Sequence, residues 1–296
     1  MIQIKGYIST LLLLLTILGG YAQASKYLPT ANGEVVEHSY YTLSYIEQYE
    51  QAEWVYYELT LPMVSGSQSR TDDFREDKMV STISAQLDDY KGSGYDRGHL
   101  CPAGSMTHNL MAMSESFYLS NMSPQVPSFN RGRWKQLEER VRSWVVSDSL
   151  LYVISGPVLT DNMPVIGNNR VAVPLHYYKV IYSPTKSQMI AFLMPNENIK
   201  EPVSNYTVTV DQIEEITGID FFHDLPETLE HHLETSIDTS KWNFSSAPKI
   251  EKSSATTTNT SSSPTTCLGV TKSGTPCKNS TKNANGYCHL HQSQVP

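Results

Sequence analysis

Tyr95-Asp96-Arg97-Gly98-His99-Leu100-Cys101-Pro102-Ala103-Gly104-Ser105-Met106 is the stretch on which the reading of this chain turns. It sets an imidazole two residues after a permanent cation. Imidazole titrates near neutral pH and so serves as a general base, typically contributing about 10²–10⁴-fold. The planar guanidinium fork of Arg97 matches the oxygens of a phosphate. Gly98 is expected to let the backbone turn sharply or approach a ligand closely, with Asp96 supporting that turn. Taken singly, His99 has the alternative reading of a structural histidine; the adjoining arginine and glycine favour the base.

Downstream, Asn121 through Asn130 to Glu138 is rich in hard oxygen donors. Mg²⁺ takes such donors and is often held by one or two protein groups plus substrate phosphate. On one ideal helix, Asn130 and Glu138 lie about two turns apart and about 80° around the axis. Glu138 is then placed to hold metal-bound water, with Asn130 ligating directly. The alternative is that Asn130 only caps a helix and Glu138 is an exposed helix charge. A base, a cation and a hard-metal site together suit hydrolysis of a phosphodiester.

These residues carry a resemblance. YDRGHLCPAGSM, followed by SNMSPQVPSFNRGRWKQLEE, resembles the DNA/RNA non-specific endonucleases of the ββα-metal (His-Me finger) type, the endonuclease G-like family. It continues through Ser155-Gly156-Pro157-Val158, Ala191 to Asn196 and Thr209 to Glu214, and covers about Trp54 to Leu225. The resemblance implies an α+β, mixed-sheet nuclease domain that depends on Mg²⁺, with Mn²⁺ as an alternative ion. It implies His99 as general base, Asn130 as the direct metal ligand, Glu138 as the holder of the hydrated metal and Arg97 as a phosphate contact. It further implies Asn121 as a supporting asparagine and Arg70 as an earlier phosphate-binding arginine, with Arg75 as competitor. The partners implied are DNA and RNA, bound through phosphates that carry no base information. Products would end in 5′-phosphate and 3′-hydroxyl. The alternative from another class is a non-catalytic nucleic-acid-binding protein on a degenerate nuclease fold. A homodimer and an inhibitor partner are compatible with the sequence, which identifies neither.

The 296 residues carry a formal net charge of −8, so the body as a whole does not attract polyanions. Its cations are unevenly spread, with Arg131, Arg133, Lys135, Arg140 and Arg142 in one segment. That segment reads either as a local phosphate track or as a solvated helix face. At the N-terminus, Lys5, the aliphatic run Leu11 to Leu18 and Ala22-Gln23-Ala24 read as a signal peptide over residues 1–24. The expectation is therefore an exported protein, periplasmic or secreted. No later apolar run reaches the roughly 18 residues a bilayer requires, so stable membrane insertion is not expected.

The nuclease domain is assigned to residues 25–244. Within it, Trp54 to Leu59, Leu150 to Ile154, Tyr177 to Tyr182 and Met189 to Met194 read as strands, the second closed by a turn at Ser155-Gly156-Pro157. Arg133 to Val146 has helical spacing, and Thr209 with Gln212 forms a capping box for a helix that Gly218 ends. Cys101 is expected to be a buried, unreactive thiol.

Residues 245–266 are a Ser/Thr-rich linker. The tail, 267–296, holds Cys267, Cys277, Cys288 and His291. Three thiolates and one imidazole suit a structural tetrahedral Zn²⁺. One disulfide plus a leftover cysteine is the rival, and His289 could replace His291.

Overall fold

The structure, a computed structural model, describes residues 27–245, 265–271, 274–281, 286–287, 291 and 294. The expected signal peptide, most of the linker, Cys288 and His289 lie outside them. The chain opens with a meander: β1 (Glu34–Glu37), β2 (Thr42–Ile46) and β3 (Gln51–Thr60). A long excursion follows through α1 (Leu61–Val64), α2 (Leu87–Tyr90), β4 (Asp96–His99), α3 (Leu110–Glu115), β5 (Met122–Gln125) and α4 (Pro127–Phe129). A π-helical turn, Asn130–Trp134, then leads into α5 (Lys135–Asp148). The chain rejoins the sheet in β6 (Leu150–Pro157), makes a small ribbon of β7 (Val165–Ile166) and β8 (Val171–Ala172), and completes the sheet with β9 (His176–Ser183), β10 (Gln188–Pro195) and β11 (Thr207–Val208). Two helices, α6 (Val210–Thr217) and α7 (Glu227–Glu234), finish the body.

The seven-stranded sheet runs β1-β2-β3-β6-β9-β10-β11, and every pairing in it is antiparallel. The α+β class holds, but the expected mixed sheet is corrected to an antiparallel one. The physical reason lies in the connections: hairpins and one long excursion return each strand beside its neighbour in the opposite direction. Both faces of the sheet are covered, which explains why its strands read as near-continuous apolar runs. Period-two alternation divides them. Val55, Tyr57, Val153, Tyr177 and Ile181 face α5 in one core. Trp54, Tyr56, Ile154, Tyr178 and Val180 face α6 and α7 in the other.

Three local expectations change. β6 does not stop at Ile154 but runs to Pro157, with Ser155, Gly156 and Pro157 paired to β9. The helix expected from Arg133 begins at Lys135, after the π turn and a break from helical geometry at Gly132. By contrast, α6 has the anticipated ends: Thr209 accepts from the Gln212 amide at 3.2 Å, Gln212 Oε1 accepts from the Thr209 amide at 3.0 Å, and Gly218 closes it at φ +70°. Among the described residues no helix is long and apolar enough to cross a membrane.

Candidate active site

The Asp96–His99 tetrapeptide is a strand, β4, paired antiparallel with β5 and not a tight turn as its glycine suggested. Gly98 is needed there for a different reason. A Cβ on Gly98 would lie 2.2 Å from Gln125 Cδ, so only glycine lets the β5 side chain pack against the strand. Because side chains alternate along a strand, Arg97 and His99 share one face. The hairpin is joined to the helix by Trp134, whose indole N–H donates to the His99 carbonyl at 3.3 Å.

Hairpin, π turn and α5 enclose a cleft of about 620 Å³. It is lined by Arg70, Arg97, Arg131, Lys135 and Arg142 against two carboxylates, Asp96 and Glu138, together with His99 and Asn130. A cationic cleft thus sits on an acidic chain, the arrangement that focuses a polyanion on one place. Five of the sequence-derived residues, Arg70, Arg97, His99, Asn130 and Glu138, meet here although 68 positions separate the first from the last in the chain.

His99 stands edge-on to Phe117 and Phe74, with ring centroids at 5.0 and 5.8 Å. Its Nε2 is sealed from solvent and has no hydrogen-bond partner. Burial first, then the charges of Arg70 and Arg97, push its pKa down to about 3. The ring is therefore neutral at working pH and free to accept a proton. Arg97 lies flat over Phe74 at 3.9 Å, a cation–π contact that holds the guanidinium at the cleft wall.

Asn130 sits on the π turn, a distortion frequent at functional sites. Its Nδ2 donates to Asp96 Oδ2 at 2.9 Å. Asp96 is also gripped by Arg131, whose Nε donates at 2.8 Å. Burial raises the Asp96 pKa, but these donors more than offset it and hold the carboxyl below its ordinary range. The carboxylate fixes which way the amide points, leaving Asn130 Oδ1 as a hard oxygen toward the cleft. The Glu138 side chain makes no hydrogen bond and no ion pair within 4.0 Å among the described residues. Burial raises its pKa, opposed through space by Arg142 and Lys179. A free amide oxygen and an unpaired carboxylate in one cleft are a donor set that fits a hard divalent ion. The ideal-helix relation between Asn130 and Glu138 does not hold, because Gly132 (φ −104°, ψ −109°) breaks the helix between them.

Arg70 is the arginine that reaches the cleft, stacking over Phe117 at 4.9 Å. Arg75 does not: it donates to the Ser114 carbonyl and lies 3.9 Å above Tyr118. Asn121 lies behind the cleft, fully buried, and the expectation of a residue acting within the site is corrected. Its Oδ1 accepts from the Cys101 amide at 2.8 Å, and its Nδ2 donates to the Cys101 and Ser116 carbonyls. It anchors the chain that leaves β4. Cys101 is a buried thiol, and burial raises its pKa well above the ordinary value.

Sequence reading missed Phe74 and Lys179 as contributors and named Arg142 only within the segment that reads as a phosphate track or a solvated helix face. Arg142 had a legible signal, since it follows Glu138 by four residues on one helix face. Lys179 had none. It is wholly buried on β9, on the sheet face that meets α5, with Nζ donating to Ser155 Oγ and 4.6 Å from the Trp134 ring centroid. Burial lowers its pKa to about 8, against the opposing pull of Glu138.

With this geometry stands a match to known proteins: the model of the DNA/RNA non-specific endonucleases matches residues 20–228. The chain belongs to that family. It is a nucleic-acid hydrolase of α+β fold, and DNA and RNA are its substrate class. It is 38% identical over 216 residues to nuclease C1 of Cunninghamella echinulata var. echinulata, covering 67% of this chain and 86% of that one. It is 33% identical over 220 residues to the mitochondrial endonuclease G of Bos taurus, covering 69% and 74%. The crystal structure of an EndoG/EndoGI complex superposes with a TM-score of 0.62 at 35% identity, covering 67% of this chain and 89% of that chain. The expected export is withdrawn on these findings. Endonuclease G of Bos taurus and Homo sapiens and nuclease EXOG of Mus musculus are named as mitochondrial proteins. An apolar N-terminal run with one lysine does not by itself name a destination.

A second model, of a domain of unknown function, matches residues 264–296. There Cys267, Cys277 and His291 bring ligand atoms within 4.8 Å of one another. Backbone amides two residues on point at both sulfurs, Gly269 N to Cys267 Sγ at 3.3 Å and Asn279 N to Cys277 Sγ at 3.4 Å. Two short antiparallel strands, β12 (Thr265–Thr266) and β13 (Ser280–Thr281), frame the cluster.

Proposed function

We propose that this nuclease is a divalent-metal-dependent, sugar-non-specific endonuclease in which His99 is the general base. The observation that carries the reading is an imidazole sharing one cationic cleft with an amide oxygen and a carboxylate that have no hydrogen-bond partner among the described residues. With Nε2 sealed, the ring nitrogen that meets water is Nδ1. Water gives a proton to Nδ1 as its oxygen attacks phosphorus. The bond from phosphorus to the 3′-oxygen breaks, the leaving oxygen takes a proton from solvent water, and the products carry 5′-phosphate and 3′-hydroxyl. Arg97, with Arg70 and Arg142, binds the phosphate oxygens and neutralises charge that grows in the transition state. Asn130 Oδ1 would hold Mg²⁺ or Mn²⁺ directly and Glu138 would hold its water shell, and the ion would supply Lewis-acid stabilisation at the phosphate. Contacts confined to phosphate oxygens support indifference to base and sugar.

Purified full-length protein incubated with plasmid and with single-stranded RNA tests this. Cleavage of both is expected with Mg²⁺ or Mn²⁺, and none with excess EDTA. Activity that persists after exhaustive chelation would sink the metal-dependent reading.

For the tail we propose a structural Zn²⁺ held by Cys267, Cys277, His291 and Cys288, on a unit (267–296) joined by the 245–266 linker to the 25–244 nuclease body. The amides directed at both sulfurs support thiolate ligands, since such bonds orient and stabilise them. Elemental analysis of the full chain is expected to give one zinc per molecule, lost in Cys277→Ser. A zinc-free protein whose four thiols titrate as two would favour a disulfide instead.

A further inference from the structure

The two helices on the far face of the sheet hold carboxylates that the nuclease reaction does not use. Asp211 and Glu214 lie three residues apart on one side of α6, and Glu234 is the last residue of α7. One oxygen from each comes within 4.8 Å of the other two. Asp220 and Glu230 stand close enough to add to their mutual repulsion. None of the five forms an ion pair with a lysine or arginine within 4.0 Å among the described residues.

Glu234 is the group that asks for an explanation. It is only 7% exposed, and its Oε1 is sealed from solvent with no hydrogen-bond partner among the described residues. It also ends a helix, where the backbone dipole disfavours negative charge. Buried charges in proteins are paired or coordinate a metal. Glu214 is different in that its Oε1 accepts from the Phe221 amide at 2.9 Å, which fixes the carboxylate and leaves the second oxygen available. Asp211 lies in the first turn of α6.

We propose that Asp211, Glu214 and Glu234 form a structural site for a hard divalent cation of calcium's size, clamping α6 to α7 away from the catalytic cleft. All three donors are oxygens, which Ca²⁺ and Mg²⁺ prefer and zinc does not require. Oxygens within 4.8 Å of one another are compatible with one Ca²⁺ at about 2.4 Å, and calcium accepts the irregular geometry that carboxylates from two helices present, whereas Mg²⁺ demands a near-ideal octahedron. Without a cation, burial and then the neighbouring carboxylates raise Glu234 to about 8, and burial with Asp220 and Asp211 raises Glu214 to about 7. A bound cation removes that repulsion and links the end of α7 to the first turn of α6. The region it stabilises covers the core formed by Ile213, Phe221, Phe222 and Leu233 against the sheet.

The test is equilibrium dialysis and thermal unfolding of the full chain against CaCl₂ and, separately, MgCl₂, with Glu234→Gln and Asp211→Asn alongside. Neither residue belongs to the cleft, so ions bound there contribute equally to all three proteins. The parent is expected to bind one more Ca²⁺ than either variant. Its Tm should rise by about 5 °C more at calcium far above Kd, with a smaller response to Mg²⁺. Asp211→Asn, at a half-exposed position, keeps the test readable if Glu234→Gln folds poorly. Equal calcium stoichiometry and equal shifts in parent and variants would overturn the site. Nucleic-acid cleavage by the variants stays at the parent level, so this outcome is independent of the catalytic assignment.

Discussion

His99→Ala is expected to lower plasmid cleavage by about 10²–10⁴-fold, with KM for nucleic acid changed far less than kcat. The ring contributes a proton acceptor, while the arginines that bind phosphate stay in place, so the loss belongs to the chemical step. Cleavage by the variant within threefold of the parent would remove His99 as the base. The same substitution has a stability signature. An unfolded histidine takes up its proton near pH 6.5, whereas folded His99 is held to about 3 by burial and by Arg70 and Arg97. Between those values the unfolded chain binds more protons, so this group's contribution is present above pH 6.5 and is lost as pH falls toward 3. The urea midpoint of the parent should therefore fall more steeply over that window than that of His99→Ala. Parallel curves would show that the imidazole is not held neutral.

The second large effect is at Glu138 and reaches the buried lysine behind it. Glu138→Gln is expected to cost about 10–100-fold in activity at limiting metal, the usual scale for groups that orient a metal's surroundings. Lys179→Met should act through the same carboxylate. Removing this buried positive charge leaves Arg142 as the main opposition to burial, so the Glu138 pKa rises further. Each unit of that rise costs about tenfold in the ionised fraction below it. The acid limb of the pH–rate profile should therefore move to higher pH in Lys179→Met, and raising the pH should restore the rate. A profile that drops uniformly, without moving, would mean that Lys179 only packs against Trp134. Lys179 touches no substrate in this scheme; its role is to position charge.

Much of the site was legible because its chemistry is local. Arg97 and His99 are two residues apart on one strand, and Asn130 and Glu138 flank one helix start, so their order along the chain preserves their proximity. The strands at Trp54, Tyr177 and Met189 and the capped helix from Thr209 were equally readable, since periodicity and caps are properties of neighbouring residues. Errors arose where distant chain intervened. Gly98 looked like a turn residue because nothing nearby reveals that Gln125 packs against it. Asn121 looked like an active-site amide, yet its hydrogen bonds reach Cys101 and Ser116. Ser155 to Pro157 looked like a turn, but pairing with β9 extends the strand.

The sequence by itself determined the family, the candidate reacting groups and the hydrophobic alternation that makes a sheet covered on both faces. Only the tertiary structure decided how those groups are charged. Burial and two arginines keep His99 neutral, Asp96 orients the Asn130 amide, and Lys179, 41 residues beyond Glu138, adds to the opposing charge of Arg142 at that buried carboxylate. Likewise α6 and α7 bring Glu234 against Asp211 and Glu214 without any motif to announce it. Residue identity fixes which atoms can react or ligate. Their pKa and free valences depend on desolvation and through-space charge, which exist only once distant segments are packed together.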